Sequence, residues 1–265
     1  MHSTTYHKAE SATAAADALS KAEDGQLLAG GQTLIPTMKA RLAAPSDLVD
    51  VSRAADMRGI TIEGRRVTIG ASTTHAEVAA HAGLRALCPS ICDLAALIGD
   101  PAVRNRGTLG GSVANNDPAA DYPAAMLALG ATIRTTSRDI SADAFFTGMF
   151  ETALDEGEII TSVNFTAPSK GAYAKFPNPA SRYAMCGVFV AAGEGGVRVA
   201  VTGAGSDGVF RAGDMETALD ADFAPGALEA ISVDADAMLA DIHGDGAYRA
   251  NLVKVMAKRA VAAAG

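Results

Sequence analysis

Gln26-Leu27-Leu28-Ala29-Gly30-Gly31-Gln32-Thr33-Leu34-Ile35-Pro36-Thr37-Met38-Lys39-Ala40-Arg41 decides how the chain is read. A short apolar run breaks into tandem glycines and then resumes with helical character, giving strand, glycine turn, helix. Glycines there let the backbone turn sharply with its amides in the open beside a helix start, which suits a phosphate or pyrophosphate. The plain alternative is a tight turn that holds nothing. Upstream, residues 9–19 read as an Ala-rich helix. Downstream come a strand at 47–51 and two strands about Gly64 within 60–70. Helices are expected from Thr74, over 84–87 and over 91–98, then over 124–131, with strands at 132–135 and 158–165. After a hinge at 168–171, paired strands at 187–192 and 197–202 flank the Gly193-Glu194-Gly195-Gly196 turn, and helices follow near 214–220, 226–240 and 246–263. The class is α/β or α+β, with a boundary near 167.

Between Gly99 and Pro123 the chain is dense in Gly, Asn, Asp and Pro, and at about 25 residues it is much longer than a median connection. Within it, residues 104–123 hold seven that are Gly, Asn or Ser. They form a second donor-rich surface poor in side chains, while Asp117 and Asp121 can accept from ribose hydroxyls or an adenine amine. One glycine turn binds a phosphate; two can clamp a dinucleotide. A third stretch, Gly203-Ala204-Gly205-Ser206-Asp207-Gly208, matches the dinucleotide fingerprint literally. Its context fails, because no helix opens within the glycines and no strand ending in an acid follows about 20 residues on.

The whole chain excludes several classes. Its 265 residues are 49% hydrophobic and 20% charged, an ordinary globular balance, and the net charge of −8 lacks the basic field that gathers nucleic acid. No basic-then-apolar leader opens it and no apolar run reaches bilayer length, so a soluble, cytoplasmic protein without membrane insertion is expected. Cys88, Cys92 and Cys186 are too few for a disulfide framework or for the four ligands of an ordinary 2Fe–2S cluster. Cys88 and Cys92 read as core thiols. The histidines at 2, 7, 75, 81 and 243 are scattered, and no nucleophile elbow, Walker loop or zinc-binding helix occurs.

The two glycine loops together resemble those of the FAD-binding medium subunit of molybdenum hydroxylases, of the carbon monoxide dehydrogenase type. The resemblance extends over Tyr6-His7, Thr68-Ile69-Gly70-Ala71, Gly157-Glu158-Ile159-Ile160, Tyr173-Ala174-Lys175-Phe176 and Pro179-Ala180-Ser181-Arg182-Tyr183-Ala184, nearly the whole chain. It implies a two-part FAD domain of the vanillyl-alcohol-oxidase (PCMH) type over residues 1–167, with subdomains of about 1–55 and 56–167. A smaller α/β domain of the carbon monoxide dehydrogenase flavoprotein type, a three-stranded sheet with helices, would occupy 168–265.

It also implies the cofactor contacts. Leu28, Ala29, Gly30, Gly31, Gln32, Thr33 and Leu34, with Gly107, Thr108, Gly110, Gly111, Ser112, Ala114 and Asn115, would wrap the pyrophosphate of FAD. Asp121 would sit near the ribose or adenine end, Ile160 and Lys175 would approach the flavin, and Tyr183 would cover the ring. No metal belongs to this chain by that resemblance. Molybdopterin and 2Fe–2S clusters would reside on a large and a small partner subunit in a dimer of heterotrimers. The chain would pass electrons from the clusters to a quinone, dioxygen, NAD or a carrier. Two other readings compete: a degenerate scaffold subunit without redox turnover, and an NAD-dependent enzyme built on the Gly203 loop.

Overall fold

The computed structural model describes residues 1–264. Strands β1 (Thr5–Lys8), β2 (Gly25–Leu28) and β3 (Asp47–Asp50) form a small parallel sheet in the order β1-β3-β2, with helices α1 (Ala12–Leu19) and α2 (Leu34–Lys39) as its connections. Helix α1 starts at Ala12 rather than Ala9, because Ser11 in extended conformation caps it and the Ala9 amide is held beyond the end of β1 by the Asp50 carbonyl at 2.9 Å. The 47–51 strand of the sequence reading is the middle strand of this sheet.

A second, five-stranded sheet has the order β4-β5-β10-β6-β7, with β4 (Ile60–Glu63), β5 (Arg66–Gly70), β6 (Thr132–Thr135), β7 (Asp139–Ser141) and β10 (Ile160–Thr166) all antiparallel. Its middle carries Val67, Ile69, Ile133 and Val163, all fully buried. Between β5 and β6 run α3 (His75–Ala80), α4 (Ala82–Leu87), α5 (Pro89–Ala96), α6 (Pro101–Arg104), α7 (Leu109–Asn115) and α8 (Tyr122–Ala128). The long loop expected from 99 to 123 thus contains two short helices. Asp100 caps α6 and Thr108 caps α7, each accepting an amide three residues on. After β7 come α9 (Ala142–Phe145) and a hairpin of β8 (Phe146–Gly148) with β9 (Glu151–Thr152).

Residues 170–264 add a third sheet, β11 (Lys170–Pro177), β12 (Ala184–Gly193), β13 (Gly196–Thr202) and β14 (Phe210–Arg211), with α10 (Gly213–Ala221) and α11 (Gly246–Ala264). It has four strands, the fourth only two residues long, where three were implied. The helix expected over 226–240 is only a short 3-10 turn at Pro225–Leu228 followed by irregular chain, since Pro225 and Gly226 break its pattern and Asp234 turns the chain by accepting from the Asp236 amide. Strand β12 is buried on both faces. Cys186, Val188 and Val190 pack with α11, whereas Phe189 and Ala191 belong to the core of residues 1–167, the two faces alternating as a strand must.

The Gly203–Gly208 stretch leads into β14, and α10 begins only at Gly213. The Gly203 amide donates to the Pro118 carbonyl at 2.8 Å, while its own carbonyl accepts from the buried Arg249 guanidinium at 2.7 Å. The three cysteines are buried free thiols, and burial pushes Cys92 up to about 11 and Cys186 up to about 12. Among the described residues no group of three His, Cys, Asp or Glu side chains could hold a metal ion, and no helix is long and apolar enough to cross a membrane.

Candidate functional site

At the end of β2 the chain turns through Gly30 and Gly31, the latter left-handed at φ +69. The amides of Gly30, Gly31, Gln32, Thr33 and Leu34 find no acceptor among the described residues. Only further on does the Ile35 amide close back onto the Gly31 carbonyl, at 3.2 Å. Gln32 and Thr33 are exposed. Unpaired amides converging in one turn favour an acceptor-rich, negatively charged group.

Gly30 could carry no side chain, because a Cβ would run into the Arg106 carbonyl oxygen and the Gly107 backbone. The two glycine loops that lie far apart in sequence therefore touch, and Gly111 faces Ala29 from the same side. The second loop nevertheless spends its amides differently from the first. Gly107 donates to Val103, Leu109 to Thr73, Gly110 to Ala71, Gly111 to the Thr108 hydroxyl and Ser112 to the Thr108 carbonyl, all at 2.7–3.1 Å. Leu109 and Gly110 thus seat the loop on residues 71–75, the other three amides bond locally, and of residues 107–112 only the buried Thr108 amide finds no acceptor among the described residues. What remains on offer is the exposed Gly111 and Ala114 surface with the half-buried Ser112 and Asn115 side chains.

Beneath this seat lies His75, 5% exposed. Its backbone amide donates to the Gly107 carbonyl at 3.0 Å, and a Cβ on Gly107 would come within 2.6 Å of its Nε2. Burial, and secondarily the Arg104 charge, lower the imidazole to about 4, so it is neutral at neutral pH. Its Nδ1 and the hydroxyl of the neighbouring Tyr122 have no partner among the described residues. The sequence reading passed over His75; its one signal was local, since Thr74 and Glu77 form the reciprocal cap that opens α3.

Asp121, Lys175 and Tyr173 come together across the junction of α8 and β11. Lys175 Nζ lies 2.9 Å from Asp121 Oδ2, with side chains 3% and 5% exposed, and the Tyr173 hydroxyl donates to Asp121 Oδ1. Burial raises the Asp121 carboxyl above its usual range, against the pull of the Lys175 charge and both hydrogen bonds. Both oxygens that were expected to meet a ribose or an adenine are thus engaged within the protein. Ile160 is buried at a bulge of β10, and the neighbouring Thr161 carbonyl holds the Ala71 amide at 2.9 Å, next to Gly110.

Lys175 also points along a cavity of about 430 Å³ whose walls are Ala96, Leu97, Gly99 and Pro177 and whose charged rim adds Arg104 and Arg182. Arg104 ends α6, two residues before Arg106, whose carbonyl meets Gly30 where the two glycine loops join. Tyr183 stands outside these walls, 47% exposed, at the end of a turn closed by the Asn178 amide on the Tyr183 carbonyl at 2.8 Å.

A family described as the FAD binding domain in molybdopterin dehydrogenase matches residues 2–168. The carbon monoxide dehydrogenase medium chain of Hydrogenophaga pseudoflava is 35% identical, over 91% of this chain and 89% of its own. The nicotine 6-hydroxylase medium subunit of Paenarthrobacter nicotinovorans is 34% identical, over 95% and 93%. A solved carbon monoxide dehydrogenase from Hydrogenophaga pseudoflava, lacking the Mo-pyranopterin moiety of its cofactor, superposes with a TM-score of 0.86 at 32% identity, covering 98% of this chain and 96% of that one.

Proposed function

The chain belongs to the family of FAD-binding domains in molybdopterin dehydrogenases, and from that premise we propose that it is the electron-transferring flavin subunit of a molybdenum hydroxylase of the carbon monoxide dehydrogenase kind. The observation that carries this reading is the turn of partnerless amides from Gly30 to Leu34, pressed against a second glycine loop. A pyrophosphate fits there: the amides supply donors, Gly30 lets the two loops close on each other, and Gln32, Thr33 and Ser112 add neutral polar groups.

When bound, FAD supplies the redox chemistry, accepting and releasing electrons singly or in pairs. The chain's residues hold and orient it. Lys175, held by Asp121, would bring its ammonium to the flavin; Ile160 would give an apolar contact; Tyr183, exposed outside the cavity walls, would cover the ring. Asp121 serves here through Lys175 rather than through the ribose, because its oxygens are already engaged. No general base is required of this chain.

The partners in this reading are an iron–sulfur small subunit and a molybdopterin large subunit, assembled as a dimer of heterotrimers in the cytoplasm, with an external electron acceptor. Residues 1–167 carry the flavin and residues 168–265 form the second domain. This division is supported by the end of β10 at Thr166 and by the Arg65 guanidinium, which grips the Ala167 and Pro168 carbonyls at the crossing. Relatives named for carbon monoxide and for nicotine stand at nearly equal identity, which supports placing substrate choice outside this chain. Stopped-flow mixing of the FAD-loaded chain with a reduced 2Fe–2S partner subunit tests the transfer. Bleaching of the band near 450 nm within the turnover time is expected; a flavin that the reduced partner leaves oxidised contradicts the electron-transfer role.

A further inference from the structure

The cavity rim holds more positive charge than the protein neutralises. Of its three cations only Lys175 has a carboxylate partner; Arg104 and Arg182 have none within 4 Å among the described residues, in a chain of net charge −8. Arg104 spends one nitrogen, Nη1, on the Ile98 and Gly99 carbonyls at 3.0 and 3.1 Å, and Arg182 touches the same turn only at 3.5 Å. Their remaining guanidinium nitrogens meet no acceptor among the described residues. Asp100, whose carboxyl is lowered first by the Val103 amide and also by the charges of both arginines, forms an ion pair with neither and caps α6 through that amide at 2.9 Å. Arg182 is held in the left-handed region at φ +63 by a turn in which its amide donates to the Asn178 carbonyl at 2.8 Å. Between the guanidinium groups the walls are apolar, so an electron-rich group entering there would lose water and feel both charges.

We propose that Arg104 and Arg182 form a cationic rim that stabilises the negative charge the flavin ring takes up on reduction, and so set this subunit's reduction potential. The inference rests on the flavin reading above. Two electrons from an iron–sulfur donor and one proton from solvent leave the ring one unit more negative than in its oxidised form; the rim offsets that charge in place of a second proton. Neither arginine transfers a proton or an electron. They act on the ring through the field alone, which separates their part from that of Lys175 with its buried counter-ion.

The test is the midpoint potential of the full chain loaded with FAD, measured by dithionite titration against an indicator dye. Arg104→Gln with Arg182→Gln should lower the equilibrium constant for two-electron reduction at least tenfold, a fall of about 30 mV. Arg182→Gln alone, a change on an exposed side chain, should lower it about threefold, and lysine at both positions should restore it to within twofold. Glutamine variants that hold FAD stoichiometrically at an unchanged potential overturn the inference and leave the flavin reading standing. A full chain that takes up no FAD, alone or with its partner subunits, removes both.

Discussion

Asp121 is the residue whose loss should cost most. Asp121→Asn leaves the Lys175 ammonium buried without its counter-charge, and unpairing a buried ion pair typically destabilises by about 3–5 kcal/mol. Urea unfolding measures this, and Asp121→Asn with Lys175→Met should recover part of the loss; a single variant as stable as the parent contradicts the buried pairing. His75 gives the pH dependence. The unfolded chain carries an ordinary imidazole near 6.5, the folded one an imidazole near 4. Below pH 6.5 the unfolded state therefore takes up a proton that the folded state refuses, and stability falls as pH drops toward 4 by an amount on the order of 3 kcal/mol. His75→Gln should flatten that slope between pH 7.5 and 4; parallel curves for variant and parent argue against a buried neutral His75. Neither residue's surroundings were legible in sequence. The same letters serve an exposed acceptor or a buried ion pair, and the difference lies in Tyr173 and Lys175, more than 50 positions downstream.

At the scale of the elements, the two glycine loops were the legible part, because glycine turns flanked by apolar runs announce themselves locally. Which loop keeps its amides free was not legible. The second loop zips onto residues 71–75, a long-range pairing that no local pattern encodes, and its glycines serve close approach and donate within the protein. Gly110→Ala should accordingly act on packing. Its Cβ would come within 2.5 Å of the Ala71 Cβ, and forcing that contact should cost about 1–3 kcal/mol in urea unfolding. A neutral substitution would show that the α7 start is not seated as described. The strand at 170–177 escaped the sequence reading because Gly171, Lys175 and Pro177 interrupt its alternation, yet β12 pairs with it along its whole length.

For the whole molecule, the C-terminal sheet is the structural hinge of the account. One face of β12 closes the core of the first 167 residues and the other packs on α11, so the two cores share a strand. Arg198 reinforces the joint from β13, donating from Nε to the Leu127 carbonyl at 2.7 Å and pairing through Nη2 with Asp143. Arg198→Met should lower stability by about 1–3 kcal/mol, and the chain should still unfold in one cooperative transition. Two separated transitions in differential scanning calorimetry contradict a shared core.

The central claim is that the joined glycine loops hold FAD, and a titration of the purified full chain tests it most directly, beside its Gly30→Val variant. The account predicts saturable uptake of one FAD per chain, with bands near 370 and 450 nm that co-elute with the protein. In Gly30→Val, whose side chain would strike the Arg106 carbonyl, uptake should weaken at least a hundredfold while the far-ultraviolet circular dichroism stays that of the parent. A parent chain that stays colourless with FAD even beside its partner subunits, or a Gly30→Val chain that binds FAD as tightly as the parent, would contradict it.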